Sequence, residues 1–290
     1  MAARLRSSGH SLTVADANPS AVSAFLANGG RGANTPAELA SRTTIVFCSL
    51  PTPAVVETVL VGKNGLIDGG AVKIVVDFST TGPQLTASLA KTLETRGIAL
   101  VDAPVSGGVT GAEAGTLSIM TSGPASALDA VDPMLRMLGK NIFRLGDAPG
   151  LGQQMKLVNN MLLAANAVAS FEAMVVGVKG GLDATRMLEV LNASSGRSFV
   201  TTDKLSQCVL NGSFPMRFAT ELLHKDVRLG VEEAERVGAP LWMMYAVKHF
   251  LTNAMADGAG TTDYCELIRR FEHWAGVEVR ATSAAPTRIT

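Results

Sequence analysis

Three stretches of this sequence place residues where they could do chemistry. The segment GLGQQMKLVNN, Gly150–Asn160, spaces Gly152, Lys156 and Asn160 by four, which on a helix stacks them along one face. A lysine that is partly desolvated has its ordinary pKa of about 10.4 lowered by several units, so it can exchange protons near neutrality. A glycine one turn before it leaves room for a ligand beside the ammonium. A solvated lysine on a polar helix face is the plain alternative. The segment DAPVSGG, Asp102–Gly108, follows an apolar run. Its Gly107 and Gly108 N–H groups can approach a carboxylate closely because no β-carbon intervenes, and Ser106 adds a hydroxyl donor; a simple glycine turn uses the same residues. The segment LTVAD ends in Asp16, followed by Ala17, Asn18 and Pro19. An acidic residue at the end of such a strand can accept hydrogen bonds from ribose hydroxyls, and its charge repels a 2′-phosphate, which favours NAD over NADP. An Asx turn with a merely solvated carboxylate is the competing reading.

Other charged or reactive residues carry less. HKDVRL, His224–Leu229, reads as a solvated charged face. His10, His249 and His273 have no Ser, Asp or Cys nearby in sequence to suggest a triad or a metal cluster. Cys48, Cys208 and Cys265 are odd in number and lack metal-ligand spacing, so neither a disulfide framework nor a metal site is expected, and a reducing cytoplasm fits best.

The elements that must position these residues alternate in the first half. Leu12–Asp16, Thr44–Leu50, Ile74–Phe78, Ile98–Asp102, Leu117–Thr121 and Ile142–Leu145 read as short apolar strands. Between them Ser20–Asn28, Pro53–Leu60, Pro83–Arg96 and Ala125–Leu138 show helical spacing, several opening with Pro or Ser. Such alternation predicts a doubly wound, mostly parallel sheet with helices on both faces. After Gly146 it stops. Met155–Val178, Ala184–Asn192, Thr201–Leu210, Phe218–Val237, Leu241–Met255 and Cys265–Trp274 read as helices, which predicts an α/β domain over 1–149, an all-helical domain over 150–280 and a disordered tail over 281–290. A length of 290 residues accommodates two domains.

Composition excludes other classes. With 25 Lys and Arg against 25 Asp and Glu there is no global pull toward phosphate backbones or anionic membranes, so no nucleic-acid or membrane partner is expected. A chain 47% hydrophobic and 17% charged is not intrinsically disordered. No apolar run reaches the roughly 20 residues of a membrane span, since Asn166, Ser170 and Glu172 interrupt the longest one.

Taken in order, SLP at Ser49–Pro51, DFSTTGP at Asp77–Pro83, DAPVSGG at Asp102–Gly108, GLGQQMKLVNN at Gly150–Asn160 and KD at Lys225–Asp226 resemble the motifs of the β-hydroxyacid dehydrogenase family, within the 6-phosphogluconate dehydrogenase superfamily. The resemblance implies a Rossmann-type domain followed by an all-α domain, and NAD(P)-dependent interconversion of a small β-hydroxyacid and its semialdehyde or oxoacid. It implies that Leu50, Pro51 and Thr80 line the cofactor, that Ser106, Gly107 and Gly108 hold the substrate carboxylate, and that Lys156 is the catalytic lysine. Asn160 would orient the substrate and Lys225 would reach the cofactor and substrate. No metal is implied, and a homodimer or homotetramer is. Phe214, Phe218 and residues near Val105 are candidates for the side-chain pocket. The sequence departs from the family at Val55, where several relatives have an asparagine that reaches the cofactor, and at its start. Relatives begin with a strand and a glycine fingerprint near GxGxMGxxM, and Met1 aligns with the methionine after it. The expected reason is an internal methionine taken as the start or a shortened chain; the alternative is a non-catalytic oligomerising module with impaired cofactor binding.

Overall fold

A computed structural model of the protein describes residues 1–281; the tail expected over 281–290 therefore lies, from residue 282 on, outside the described residues. The chain divides into two compact units, Met1–Leu157 and the part from Val158 onward.

The first unit runs α1 (Ala2–Ser7), β1 (Thr13–Val14), α2 (Pro19–Ala27), β2 (Arg31–Gly32), α3 (Pro36–Ala40), β3 (Ile45–Cys48), α4 (Pro53–Val61), β4 (Ile74–Asp77), α5 (Pro83–Glu94), β5 (Ala99–Asp102), β6 (Val105–Ser106), α6 (Gly108–Ala114), β7 (Leu117–Thr121), α7 (Ala125–Leu138) and β8 (Gly139–Arg144). Proline opens α2, α3, α4 and α5, where its missing N–H costs nothing. Asn18, Thr35 and Thr52 cap the first three of these through their side-chain oxygens.

Strands β3, β4 and β5 pair in parallel, with Cys48, Asp77 and Asp102 aligned at their carboxyl ends. Successive strand residues point to opposite faces. Val75 and Leu100 enter one apolar cluster with Leu60, Leu89 and Leu93, whereas Val76 and Val101 enter another with Leu117, Leu128, Val131 and Leu135. Helices cover both faces, the doubly wound arrangement that near-continuous apolar strands require. The sheet is nevertheless built in pieces. β1 pairs only with β2, in parallel, and β7 takes β6 antiparallel on one side and β8 parallel on the other. One antiparallel bridge, Asp102 to Ser122, joins the ends of β5 and β7. Among the described residues no strand pairs with both β1 and β3, and β1, partnered on one side alone, is shorter than the LTVAD run predicts.

α8 (Leu151–Lys179) begins in the first unit and continues into the second, followed by α9 (Ala184–Ala193), a π-helical segment (Val200–Val209), α10 (Thr220–Arg236), α11 (Met243–Ala256) and α12 (Ile268–Ala275). α8 is long and apolar enough to cross a membrane by length and composition, contrary to the expectation that no run would be. Its Ala164, Ala167, Phe171, Met174 and Val175 recur at three- and four-residue steps and lie in the apolar core of the second unit with Leu205, Val227, Val231, Leu251, Tyr264 and Ile268, the stripe of a core helix. The π-helical turn replaces an expected α-helix. The Thr202 N–H and the Thr201 and Thr202 hydroxyls all converge on the Ser198 carbonyl before it, at 2.9, 3.0 and 3.0 Å.

Candidate active-site residues

α8 starts at a glycine for a steric reason. Gly150 has φ 112°, and a β-carbon there would lie 3.0 Å from the Pro83 carbonyl oxygen. This cap position therefore cannot carry the Ser, Asn or Asp that usually accepts the free N–H groups of a first turn. The acceptors come from the ends of β5 and β7. Asp102 Oδ1 accepts the Gly150 N–H at 2.8 Å and Oδ2 accepts the Gln153 N–H at 2.9 Å. Ser122 Oγ accepts the Gly152 N–H at 2.9 Å and donates to Asp102 Oδ1 at 2.6 Å. The carboxylate sits at the positive end of a long helix dipole. Burial pushes the Asp102 carboxyl above its ordinary range, against the opposing effect of these hydrogen bonds. The space that Gly152 leaves is consequently occupied: a β-carbon there would overlap the Met120 carbonyl oxygen and lie 2.6 Å from Asp102 Oδ2. Gly152 makes room for the Asp102 cap, not for a ligand as its spacing from Lys156 suggests.

The fully buried Gln153 side chain reaches the loop after β4. Its Nε2 donates to the Ser79 carbonyl at 2.9 Å, and its Oε1 accepts the Thr81 and Gly82 N–H groups at 2.9 and 3.3 Å. Thr80 lies between the residues held. Ser79 in turn accepts the Leu50 N–H on its hydroxyl at 2.9 Å and donates its own N–H to Asp77 Oδ1 at 3.0 Å. One hydrogen-bonded chain thus links Leu50, the Thr80 loop and the first turn of the helix that carries Lys156. Pro51 is exposed beside Leu50, and Lys156 is half-buried. Ser106 pairs across from Ser118 in β6–β7, and Gly107 and Gly108 follow it, exposed, at φ 130° and 61°. Burial and the neighbouring Asp77 push the Cys48 thiol far up, so it offers no thiolate.

In the second unit the structure brings Asn160 and Lys225 to one carboxylate. Asn160 Nδ2 donates to Asp226 Oδ2 at 2.5 Å, Lys225 Nζ lies 2.9 Å from Asp226 Oδ1, and Asn159 Nδ2 donates to Asn160 Oδ1 at 2.9 Å. Asp226 is buried, which corrects the reading of HKDVRL as a solvated face. The signal was available: Leu223, Asp226, Val227 and Gly230 share the buried face of α10. Asp226→Ala would remove a buried carboxylate that the Asn160 amide and the Lys225 ammonium share. The expected cost is about 1–3 kcal/mol, read as a lower urea midpoint; an unchanged midpoint would contradict the shared role.

Asp16 is exposed after β1, and its Oδ1 accepts the Asn18 N–H at 2.8 Å, the Asx turn considered above. Phe214 and Phe218 both have ring or cation neighbours. Phe214 is buried under the guanidinium groups of Arg269 and Arg280 at 4.4 and 5.2 Å, and Phe218 packs edge-on against Tyr264. Among the described residues no three His, Cys, Asp or Glu side chains gather as a metal-holding group.

The carboxyl edge of the parallel sheet is where a dinucleotide would be received. Leu50 and Thr80 leave the carboxyl ends of β3 and β4, where parallel sheets receive ligands, and their loops are rigidly tied. The described residues contain no glycine turn between a first strand and helix to take the pyrophosphate.

Comparison with known proteins agrees with this geometry. Residues 1–146 match the family described as the NAD binding domain of 6-phosphogluconate dehydrogenase, and residues 150–271 match that described as NAD-binding of NADP-dependent 3-hydroxyisobutyrate dehydrogenase. The chain is 36% identical to a 2-(hydroxymethyl)glutarate dehydrogenase of Eubacterium barkeri, over 96% of this chain and 93% of that protein. It is 36% identical to a 3-hydroxyisobutyrate dehydrogenase of Pseudomonas aeruginosa, over 89% of each. A crystal structure of 3-hydroxyisobutyrate dehydrogenase from Salmonella typhimurium superposes with a TM-score of 0.81 at 27% identity, covering 92% of this chain and 94% of that one. Matches of this extent, on a doubly wound domain followed by a helical one, mean that the chain belongs to the β-hydroxyacid dehydrogenase family and is an NAD(P)-dependent dehydrogenase acting on a CH–OH group.

Proposed function

We propose that the protein interconverts a small β-hydroxyacid and the corresponding semialdehyde or oxoacid, with Lys156 as general acid/base. The observation that carries this reading is the tied arrangement of the Lys156 helix and the Thr80 loop through Gln153 and Asp102. In the oxidative direction the Lys156 amine takes the proton of the substrate's β-hydroxyl as the carbinol carbon gives up a hydride; in reduction the ammonium returns the proton to the forming alkoxide. Bound NAD(P) supplies the hydride acceptor or donor at its nicotinamide ring. Ser106 and the Gly107 and Gly108 N–H groups receive the substrate carboxylate, Asn160 orients the substrate, and Lys225, held by Asp226, serves cofactor and substrate. Leu50, Pro51 and Thr80 flank the nicotinamide. What favours catalysis over a non-catalytic module is that every one of these motifs is intact on a chain so similar to named dehydrogenases.

The exposed carboxylate of Asp16 supports a preference for NAD over NADP. Exposed Leu162, Val176, Phe199 and Trp242 support burial of second-unit surface against another copy of the chain, in a homodimer or homotetramer. Three free, buried cysteines suit a cytoplasmic setting.

A steady-state screen of 3-hydroxyisobutyrate, 2-(hydroxymethyl)glutarate, L-threonate, D-glycerate, glyoxylate and succinic semialdehyde with NAD(H) and NADP(H), beside a fluorescence titration with NADH, tests the reading. Turnover of at least one compound is expected, faster with NAD(H), and NADH should bind in the micromolar range. Absence of both turnover and NADH binding would sink the proposal, and a strong NADP preference would remove the role given to Asp16.

A further inference from the structure

Gln153 is a residue for which a helix pattern supplies no reason. It follows Gly152 and precedes another glutamine, it sits three residues before Lys156, and its side chain is completely buried. A buried primary amide has two donors and two acceptor sites to satisfy. Here one N–H is used on the Ser79 carbonyl and the oxygen takes two backbone N–H groups, from Thr81 and Gly82. The amide therefore reads the loop on both sides of Thr80, with a donor and an acceptor in fixed order. Its own backbone N–H is held by Asp102 Oδ2 at 2.9 Å, so Gln153 is tied at its backbone as well as at its side chain. Asp102 is fixed in turn by Ser122 at 2.6 Å.

We propose that Gln153, anchored by Asp102, is a positioning residue that sets the register of Lys156 against the Thr80 loop. The proposal rests on the proposed roles of Lys156 in proton transfer and Thr80 beside the nicotinamide. A side chain that only filled space would contribute to folding alone. One that sets register contributes to the geometry of the reacting groups, where a displacement near 1 Å costs on the order of 10²-fold in rate.

Gln153→Glu and Gln153→Leu separate these possibilities. Glutamate keeps the shape and the two accepted N–H groups but sets a carboxylate oxygen against the Ser79 carbonyl. Leucine keeps the apolar bulk and loses all three contacts. Both variants, compared with wild type, are followed by thermal unfolding, by NADH titration, by kcat and KM with 3-hydroxyisobutyrate or the best compound of the screen, and by hydrogen–deuterium exchange. Faster exchange is expected in peptides covering both 79–86 and 150–157. kcat per folded molecule should fall roughly 10- to 100-fold, with a smaller change in KM and in NADH affinity. A kcat that falls only in proportion to the folded fraction, or faster exchange at 150–157 alone, would overturn the proposal. A wild type that turned over none of the compounds would instead defeat the proposed function, and the two-segment exchange result would then decide the anchor by itself.

Discussion

Lys156→Ala is expected to lower kcat by about 10²–10⁴-fold, the usual contribution of a positioned proton-transfer group, while NADH affinity stays nearly unchanged. The asymmetry follows from the placement of the residue. Lys156 is half-buried on α8, one turn after a first turn whose N–H groups are capped by Asp102 and Ser122, so its removal leaves the helix start intact. Oxidation uses the free amine as acceptor of the hydroxyl proton, and reduction uses the ammonium as its donor. Lys156→Arg should not rescue oxidation, because a guanidinium stays protonated at any usable pH. Wild-type kcat in Lys156→Ala would refute the assignment.

The largest stability effect is expected at Phe171. Its ring is fully buried on α8, within the second-unit cluster that includes Met174, Leu205, Val227 and Tyr264. Phe171→Ala removes the ring and leaves a void that close-packed neighbours fill incompletely, for a cost of about 3–5 kcal/mol. Phe171→Leu should cost less. Denaturant unfolding followed by far-UV circular dichroism reads the helical second unit, and Trp274, packed edge-on against Phe250 and Phe271 beside this core, gives a second signal. A midpoint within error of wild type would show that the ring does not carry this core.

Legibility in the sequence tracked how local each cause was. Ala125–Leu138 appears as a helix with the ends its spacing predicts, because apolar periodicity and the following glycine act within the segment. β4 and β7 were equally plain, being apolar runs between turn residues. β2 and β6 hold two residues each, too few to show a period. The π-helical segment at Val200–Val209 shares its apolar spacing with an α-helix, so spacing does not separate the two. Among the candidate site residues, the motif positions were visible, while the groups that hold them were not. Asp102 stands in the sequence only as the start of DAPVSGG, since its role depends on Gly150 and Gln153, 48 and 51 residues away. Asp226 was hidden in a charge run, and the side-by-side Gln153 and Gln154 give no local sign of which one turns inward.

α8 continues without a break from the first unit into the second, with Lys156 before the boundary and Asn160 after it. Three residues of the helix, Leu157, Val158 and Asn159, separate the proposed proton donor from the proposed substrate-orienting amide in sequence. A single inserted or deleted residue between them would rotate Asn160 about 100° around the axis relative to Lys156 and shift it by about 1.5 Å. Homologous chains that share the proposed chemistry are therefore expected to keep the count between these two positions fixed.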